Sequence, residues 1–296
     1  MMSGLQSLTV LAPAKLNLSL DILGKTPDGY HQLDSVMLTV DLYDTLTFVK
    51  HSEGVRFSCN DPTLPTDEGN LVLKAAGAFF AHCGISPGGL EINLTKRIPA
   101  QAGLGGGSAD AAATLVGLNR LYGAGIGRGE LARIGLGIGS DLPFCLMGGI
   151  ARARGRGEIL TPLPLPDELG VFLIAKPAQG MSTRLAFQLY SQNKPENPRH
   201  HTELLVTALP SGNMQAVGGT LSNAFEKALH LPDVRKIKEI LLEHGALGAA
   251  MTGSGTAVAG LFPQEKAALP CIEKLCQEVD FACLARPVPH GPLIVD

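Results

Sequence analysis

Residues 15–22 alternate polar and apolar side chains without a break: Lys-Leu-Asn-Leu-Ser-Leu-Asp-Ile. Successive side chains of an extended chain point to opposite faces, so the pattern predicts a half-buried strand. Leu16, Leu18, Leu20 and Ile22 then face the core, and Lys15 and Asn17 share the other side. A second alternating run puts Val36, Leu38, Val40 and Leu42 on one face. Between the two lie the turn formers of Gly24-Lys25-Thr26-Pro27-Asp28-Gly29-Tyr30-His31. The N-terminal part therefore reads as antiparallel strands, not as a doubly wound parallel sheet.

Further along, the spacing predicts a helix within 67–83 that Gly84 ends, a strand over 89–99, and a helix over 111–122 that Gly123 closes. Leu115, Leu118 and Tyr122 keep helical spacing in the last of these. A shorter helix is expected near Glu130–Leu136. The proline-rich segment from Thr161 marks a domain boundary, giving lobes of 1–160 and 161–296. Beyond it the pattern predicts a strand at Val171–Ala175, a polar loop over 191–201, and helices near Ser222 and Asp233. The stripe Val234, Ile237, Leu241 fits the last helix, with Gly245 as its cap. Residues 245–262 read as strand, glycine turn, strand. Strands and helices mixed without regular βαβ alternation indicate α+β.

Composition narrows the function classes. The 296 residues are 45% hydrophobic and 17% charged, enough apolar material for a sizeable core. Aromatics are only 5%, so that core must be filled mainly by aliphatic side chains. With 24 basic against 27 acidic residues, the net charge of −3 gives no footprint for nucleic acid or an anionic membrane. A small anionic ligand needs only a local pocket. The six cysteines form no C-x-x-C pair in a chain far longer than disulfide-dependent scaffolds, so reduced thiols and a cytoplasmic location are expected. The first residues lack a basic stretch followed by a long apolar core, and no apolar run is long enough to span a bilayer. A second copy of the chain is the one macromolecular partner left open.

Four places can carry chemistry. In Ile98–Leu115, four glycines fall within five residues, ahead of an alanine-rich helix start. Glycines let backbone N–H groups turn inward, and a helix N-terminus adds unpaired N–H groups and a positive dipole end. The loop lacks the Lys-Ser/Thr of a P-loop and the third glycine position of a dinucleotide fingerprint. Lys15 and Asn17 on one strand face form the second place. The third is Gly139-Ser140-Asp141-Leu142-Pro143-Phe144, where Pro143 suits a first helical turn and puts Asp141 at the N-terminus. The fourth is the glycine turn Met251–Ala257. Alone, each has a plain structural reading: a mobile turn, a solvated lysine, a capping carboxylate, a tight turn.

Taken together and in this order, the motifs resemble those of the GHMP kinases, over most of the chain. Lys15, Asn17, the Asp28-Gly29-Tyr30-His31 turn, Gly105-Gly106-Gly107-Ser108 and the segment from Gly139 are most similar to one branch. Its members use ATP to phosphorylate the 2-hydroxyl of a cytidyl-methylerythritol substrate. The resemblance implies a two-lobed fold, the first lobe like ribosomal protein S5 domain 2 and the second ferredoxin-like. It implies Lys15 and Asp141 as the catalytic pair, and Asn17, Tyr30, His31 and Thr183 as substrate contacts, Tyr30 stacking on cytosine and His31 hydrogen-bonding it. Pro99, Gly103, Leu104, Gly105, Gly106, Gly107, Ser108 and Ala109 would line the ATP phosphates, with Asn70 and Lys96 near the base.

The chemistry suits that assignment. A tertiary hydroxyl is a poor nucleophile, and a carboxylate in reach orients it and takes its proton late in phosphoryl transfer. An adjacent ammonium favours the developing alkoxide. Ala109 stands where many relatives carry a second serine, which removes one hydroxyl from the loop. No acidic metal ligand can be assigned, so Mg²⁺ is expected as the counter-ion of ATP, held by phosphates and water. His200-His201 lies in a polar, proline-flanked loop and reads as solvated rather than metal-binding. Arg152, Arg154 and Arg156 alternate along one strand face, by default a surface face and, as a second reading, a guide for phosphate-bearing ligands. The alternatives are another GHMP kinase of the mevalonate or homoserine type, and a non-catalytic nucleotide sensor. The Tyr30-His31 turn argues against the former, and the Lys15 and Asp141 pair against the latter.

Overall fold

A computed structural model describes residues 5–27, 29–193 and 201–295. Asp28, His200 and most of the expected polar loop (194–200) lie outside the described residues. The alternating N-terminal runs become two long strands, β1 (Ser7–Lys25) and β2 (His31–His51), paired antiparallel along nearly their whole length. Then follow β3 (Val55–Cys59), α1 (Leu71–Cys83), β4 (Gly89–Thr95), α2 (Gly106–Leu121), α3 (Arg128–Leu136), α4 (Leu142–Met147), β5 (Ile150–Gly155) and β6 (Ile159–Pro162). Gly84 adopts the left-handed conformation that ends α1, as its position in the pattern implies. Two expectations need correction here. The helix predicted from residue 111 begins at Gly106, so three loop residues form its first turn. Arg152 and Arg154 lie on β5, but Arg156 sits in the turn after it.

The second half contributes β7 (Val171–Lys176), α5 (Thr183–Gln192), α6 (Thr202–Ala208), α7 (Met214–Thr220), β8 (Ser222–Asn223), α8 (Phe225–Ala228) and α9 (Pro232–Glu243). It ends with β9 (Gly248–Met251), β10 (Val258–Phe262), α10 (Glu265–Leu275), β11 (Phe281–Ala285) and β12 (Leu293–Val295). The helix expected near Ser222 is instead a two-residue strand followed by the single turn of α8. Ser222 and Asn223 pair with Ser19 and Leu20 of β1, a non-local contact that local pattern does not encode. The second sheet has the all-antiparallel order β11-β7-β10-β9, the ferredoxin-like arrangement. The first sheet runs β12-β1-β2-β4-β3, with β5 and β6 extending from β2. β6 runs across residue 160, and β8 and β12, from the second half of the chain, join the first sheet.

Two successive stretches of β1 explain how the lobes are joined. Val10 and Ala12 pack with Phe48, Phe79 and Leu115 beneath α1 and α2. Beyond the register shift between Pro13 and Ala14, Ala14, Leu16 and Leu18 pack instead against Phe172, Ile174 and Leu261 of the second sheet. The lobes thus share a continuous apolar core under one edge of the cleft, and Lys15 and Asn17 face into that cleft. Among the described residues, no helix is long and apolar enough to cross a membrane, and all six cysteines are free thiols.

Close packing of α2 on β2 depends on Gly117, where an added Cβ would lie 2.6 Å from the fully buried Phe48 ring. Gly117→Ala is therefore expected to lower folding stability by about 1–3 kcal/mol, because neither helix nor ring can retreat without opening the core. Chemical denaturation of the two proteins measures it; an unchanged midpoint would mean that the helix shifts at no cost.

Candidate functional site

One cleft between the lobes, of about 880 Å³, is lined by every sequence-predicted site residue except Ala109. Residues far apart in sequence meet there because β1, the glycine loop and α4 converge on one point. Lys15 is 4% exposed, so the solvated reading of this lysine does not hold. Its backbone N–H donates to Leu104 O at 3.0 Å, which ties the strand to the loop. Its ammonium donates to Asn17 Oδ1 at 2.5 Å and lies 3.6 Å from the Asp141 carboxylate. Asp141 occupies the N-cap position of α4 with Pro143 in the first turn, yet its side chain makes no capping hydrogen bond. The carboxylate faces Lys15 instead, which sets the capping reading aside.

The glycine loop is seated by close backbone approaches. Gly103 (φ +77°) has no room for a Cβ, which would fall 2.0 Å from Thr252 O. Gly105 (φ +68°) packs on the Lys15 side chain, where a Cβ would come within 2.9 Å of Cγ. The first intrahelical bond of α2 runs from Ala109 N to Gly105 O, so Gly106, Gly107 and Ser108 present amides without an intrahelical acceptor. These amides and the helix dipole form an anion-binding N-terminus. Ala109 does not belong to it: its N–H is spent in the helix and its methyl is buried in the core. A second hydroxyl at that position would therefore point away from the cleft wall.

Asn70 and Lys96 line the cleft, but their polar heads are engaged. Asn70 caps α1, accepting from Val72 N at 2.9 Å and donating to Pro65 O at 2.8 Å. Lys96 is held between Asp44 and Asp110, 2.8 Å from the latter. Asp44 also accepts the N–H groups of Arg97 and Ile98, fixing where the chain leaves β4 for the loop. Two buried carboxylates share one ammonium, and Asp110 Oδ1 has no hydrogen-bond partner. Burial, opposed by Lys96 and reinforced by Asp44, pushes the Asp110 carboxyl up to about 8.

At the far end of the cleft, Tyr30 is exposed, and the Arg156 guanidinium lies 3.6 Å from its ring centre. His31 stacks on Phe187 at 4.7 Å between centroids and shares a 3.1 Å hydrogen bond with Ser191. Burial, then the charge of Lys25, lowers its basicity, favouring a neutral imidazole. Thr183 opens α5 and meets Ser254 of the glycine turn at 3.1 Å.

Several residues were not singled out from sequence. Phe187 and Ser191 share one side of α5 with Tyr190, a spacing that could have suggested an aromatic helix face. Thr252 Oγ1 accepts from Asn17 N at 2.9 Å and donates to Gly103 O at 3.3 Å, joining both lobes at β1. Asn223 donates to Met251 O and Gly253 O, holding the turn from below. Ser35 accepts from Asn17 Nδ2 at 2.7 Å, and this leaves the Asn17 carbonyl turned toward Lys15. Asn223 and Ser35 carry no local signal; only the sheet pairing brings them here.

Comparisons agree with this geometry. Residues 70–149 match the GHMP kinases N terminal domain, and residues 205–280 match the GHMP kinases C terminal domain. A 4-diphosphocytidyl-2-C-methyl-D-erythritol kinase from Caldicellulosiruptor saccharolyticus is 39% identical over 267 residues, 89% of this chain and 91% of its own length. A crystal structure of 4-(cytidine 5'-diphospho)-2C-methyl-D-erythritol kinase superposes with a TM-score of 0.77 at 32% identity, covering 97% of both chains. The homoserine kinase of Cytophaga hutchinsonii superposes with a TM-score of 0.79 at only 23% identity, covering 100% of this chain and 99% of its own. That match speaks for the fold alone, so backbone shape does not separate acceptor substrates.

The Asp110 carboxyl yields a pH prediction. Its folded value lies above its ordinary 3.8, so folding takes up a proton between the two. The stability it contributes is present below about pH 4 and is lost as pH rises through about 8. Relative to Asp110→Asn, the melting temperature of the native protein should therefore fall between about pH 5 and pH 8.5. A difference that stays constant over that range would show that the buried carboxyl does not titrate there.

Proposed function

Because the chain belongs to the GHMP kinases, and within them to the 4-diphosphocytidyl-2-C-methyl-D-erythritol kinase family, we propose how its cleft performs that reaction. The reaction is transfer of the γ-phosphoryl group of ATP to the 2-hydroxyl of 4-(cytidine 5'-diphospho)-2-C-methyl-D-erythritol. The observation that carries the proposal is the pairing of the buried Lys15 with the partly exposed Asp141 at 3.6 Å, set against the glycine loop through Lys15 N and Leu104 O.

ATP lays its phosphates on the amides of Gly106, Gly107 and Ser108, whose helix dipole favours negative charge. The acceptor hydroxyl sits between Asp141 and Lys15. Asp141 accepts a hydrogen bond from the hydroxyl and orients its lone pair in line with the γ-phosphorus. As the new oxygen–phosphorus bond forms, the bond from γ-phosphorus to the β–γ bridging oxygen breaks and ADP leaves. The hydroxyl proton passes to Asp141 late in the transfer. Lys15, held by Asn17, stabilises charge on the transferring group and the nucleophile. Tyr30, His31 and Phe187 supply the nucleoside wall, and Thr183 lies between that wall and the glycine turn.

Among the described residues, no group of three or more His, Cys, Asp or Glu side chains could hold a metal ion. Mg²⁺ would arrive with ATP and keep phosphate oxygens and water as its main ligands. Ser108, a cleft-lining hydroxyl in the first turn of α2, is the side chain placed to contact it. When bound, the ion offsets phosphate charge. The free thiols are in keeping with a reducing, cytoplasmic setting.

Steady-state ADP release with the cytidyl acceptor tests the reading, with mevalonate and homoserine as controls. Turnover is expected with the cytidyl compound alone; turnover only with a control would move the chain to another acceptor. Asp141→Asn should lower kcat by about 10²–10⁴-fold with little change in the KM for ATP. Near-normal kcat in that variant would remove Asp141 from the mechanism while leaving the substrate assignment intact.

A further inference from the structure

The turn between β5 and β6 touches both ends of the acceptor half of the cleft through consecutive residues. Arg156 lies over the Tyr30 ring at 3.6 Å. Gly157, with φ +113°, runs so close to the reacting end that a Cβ there would lie 3.6 Å from Asp141 Oδ1. Adjacent Cα atoms are about 3.8 Å apart, so the backbone at residue 156 lies close to the catalytic carboxylate while its side chain reaches the Tyr30 ring. The turn is rigidly made. Arg156 N donates to Glu158 Oε2 at 2.6 Å, and Gly157 N donates to Arg154 O at 3.1 Å. Gly155 (φ +73°) leaves space for the Glu158 carboxylate that a Cβ would enter at 2.8 Å.

In the acceptor named above, the order of groups is base, ribose, diphosphate, polyol. A base against Tyr30 and a hydroxyl at Asp141 therefore put the diphosphate beside residue 156. A guanidinium stacked on an aromatic ring keeps its N–H donors in its own plane, where their fork matches phosphate oxygens. Lys25 and Arg184 also line the cleft and add positive charge to it. We infer that Arg156 binds the diphosphate of the acceptor substrate, and that the β5–β6 turn thereby fixes the distance from the nucleoside wall to Asp141. The inference rests on the acceptor proposed above.

The test compares cytidine diphosphate with cytidine as probes, by calorimetry, with the ATP site filled by a non-hydrolysable analogue. The wild type should bind the diphosphate more tightly than the nucleoside. In Arg156→Gln that preference should shrink about tenfold while cytidine affinity stays within about twofold, the expected loss of a charge-assisted phosphate contact. Arg156→Lys should keep part of the preference, as a point charge without the fork. In turnover, Arg156→Gln should raise the acceptor KM about tenfold and leave the KM for ATP unchanged. An equal fall for both probes would make Arg156 only a brace for Tyr30 and overturn the inference, as would an unchanged preference. A wild type that binds neither probe and phosphorylates no cytidyl acceptor would overturn the acceptor assignment itself, and the inference with it.

Discussion

The buried ammonium of Lys15 is the constraint around which the site is organised. A charge taken out of water is tolerated only with partners, and here Asn17 Oδ1 and Asp141 supply them from one strand and one helix start. Each partner is itself constrained. Asn17 is turned by Ser35 and pinned through its backbone by Thr252, and Asp141 is placed by the Pro143 turn at the head of α4. The same lysine anchors the glycine loop through its backbone and packs under Gly105. The Lys15 ammonium, the Asp141 carboxylate and the glycine loop are thus fixed relative to one another by a single residue's surroundings.

That arrangement also couples the lobes. Gly103 O and Asn17 N meet on the hydroxyl of Thr252, and the Gly103 backbone lies against Thr252 O too closely for any side chain. The glycine turn of the second lobe thereby braces the glycine loop of the first. The shared core of Leu16 and Leu18 with Phe172 and Leu261 holds the cleft edge beneath them. On the other side, Asp44 and Asp110 around Lys96 join β2, the exit from β4 and the first turns of α2. Glycine in the loop therefore serves two needs at once: positive φ, and backbone contact with the opposite lobe.

The strands were the most legible part of the fold, since alternation over 15–22 and 36–42 marks extended chain. The expected half-buried face did not hold: Lys15, Asn17, Ser19 and Asp21 are buried too, because the second lobe covers that side. The start of α2 was less so. Glycine has poor helix propensity, which hid a helix that begins at Gly106 because its alanine face is buried under the sheet. β8 was misread as helix because its only structural reason is a pairing with β1 about two hundred residues earlier. In the site, Lys15 and Asp141 could be named from motif order, but their plain readings as solvated lysine and helix cap were equally compatible with local sequence.

What the sequence determined by itself was the alphabet of the site: which glycines allow close approach, which strand face carries Lys15 and Asn17, and which proline places Asp141. Those are local properties, set by φ, by side-chain alternation and by helix-start chemistry. The tertiary structure decided how those pieces are used. It buried Lys15, turned Asp141 away from its cap, engaged the polar heads of Asn70 and Lys96, removed Ala109 from the phosphate wall and laid Arg156 on Tyr30. Most of these depend on burial and on partners distant in the chain, which meet only once the two sheets have closed on their shared core; the contacts of Asn70 are local and only its placement in the cleft is tertiary.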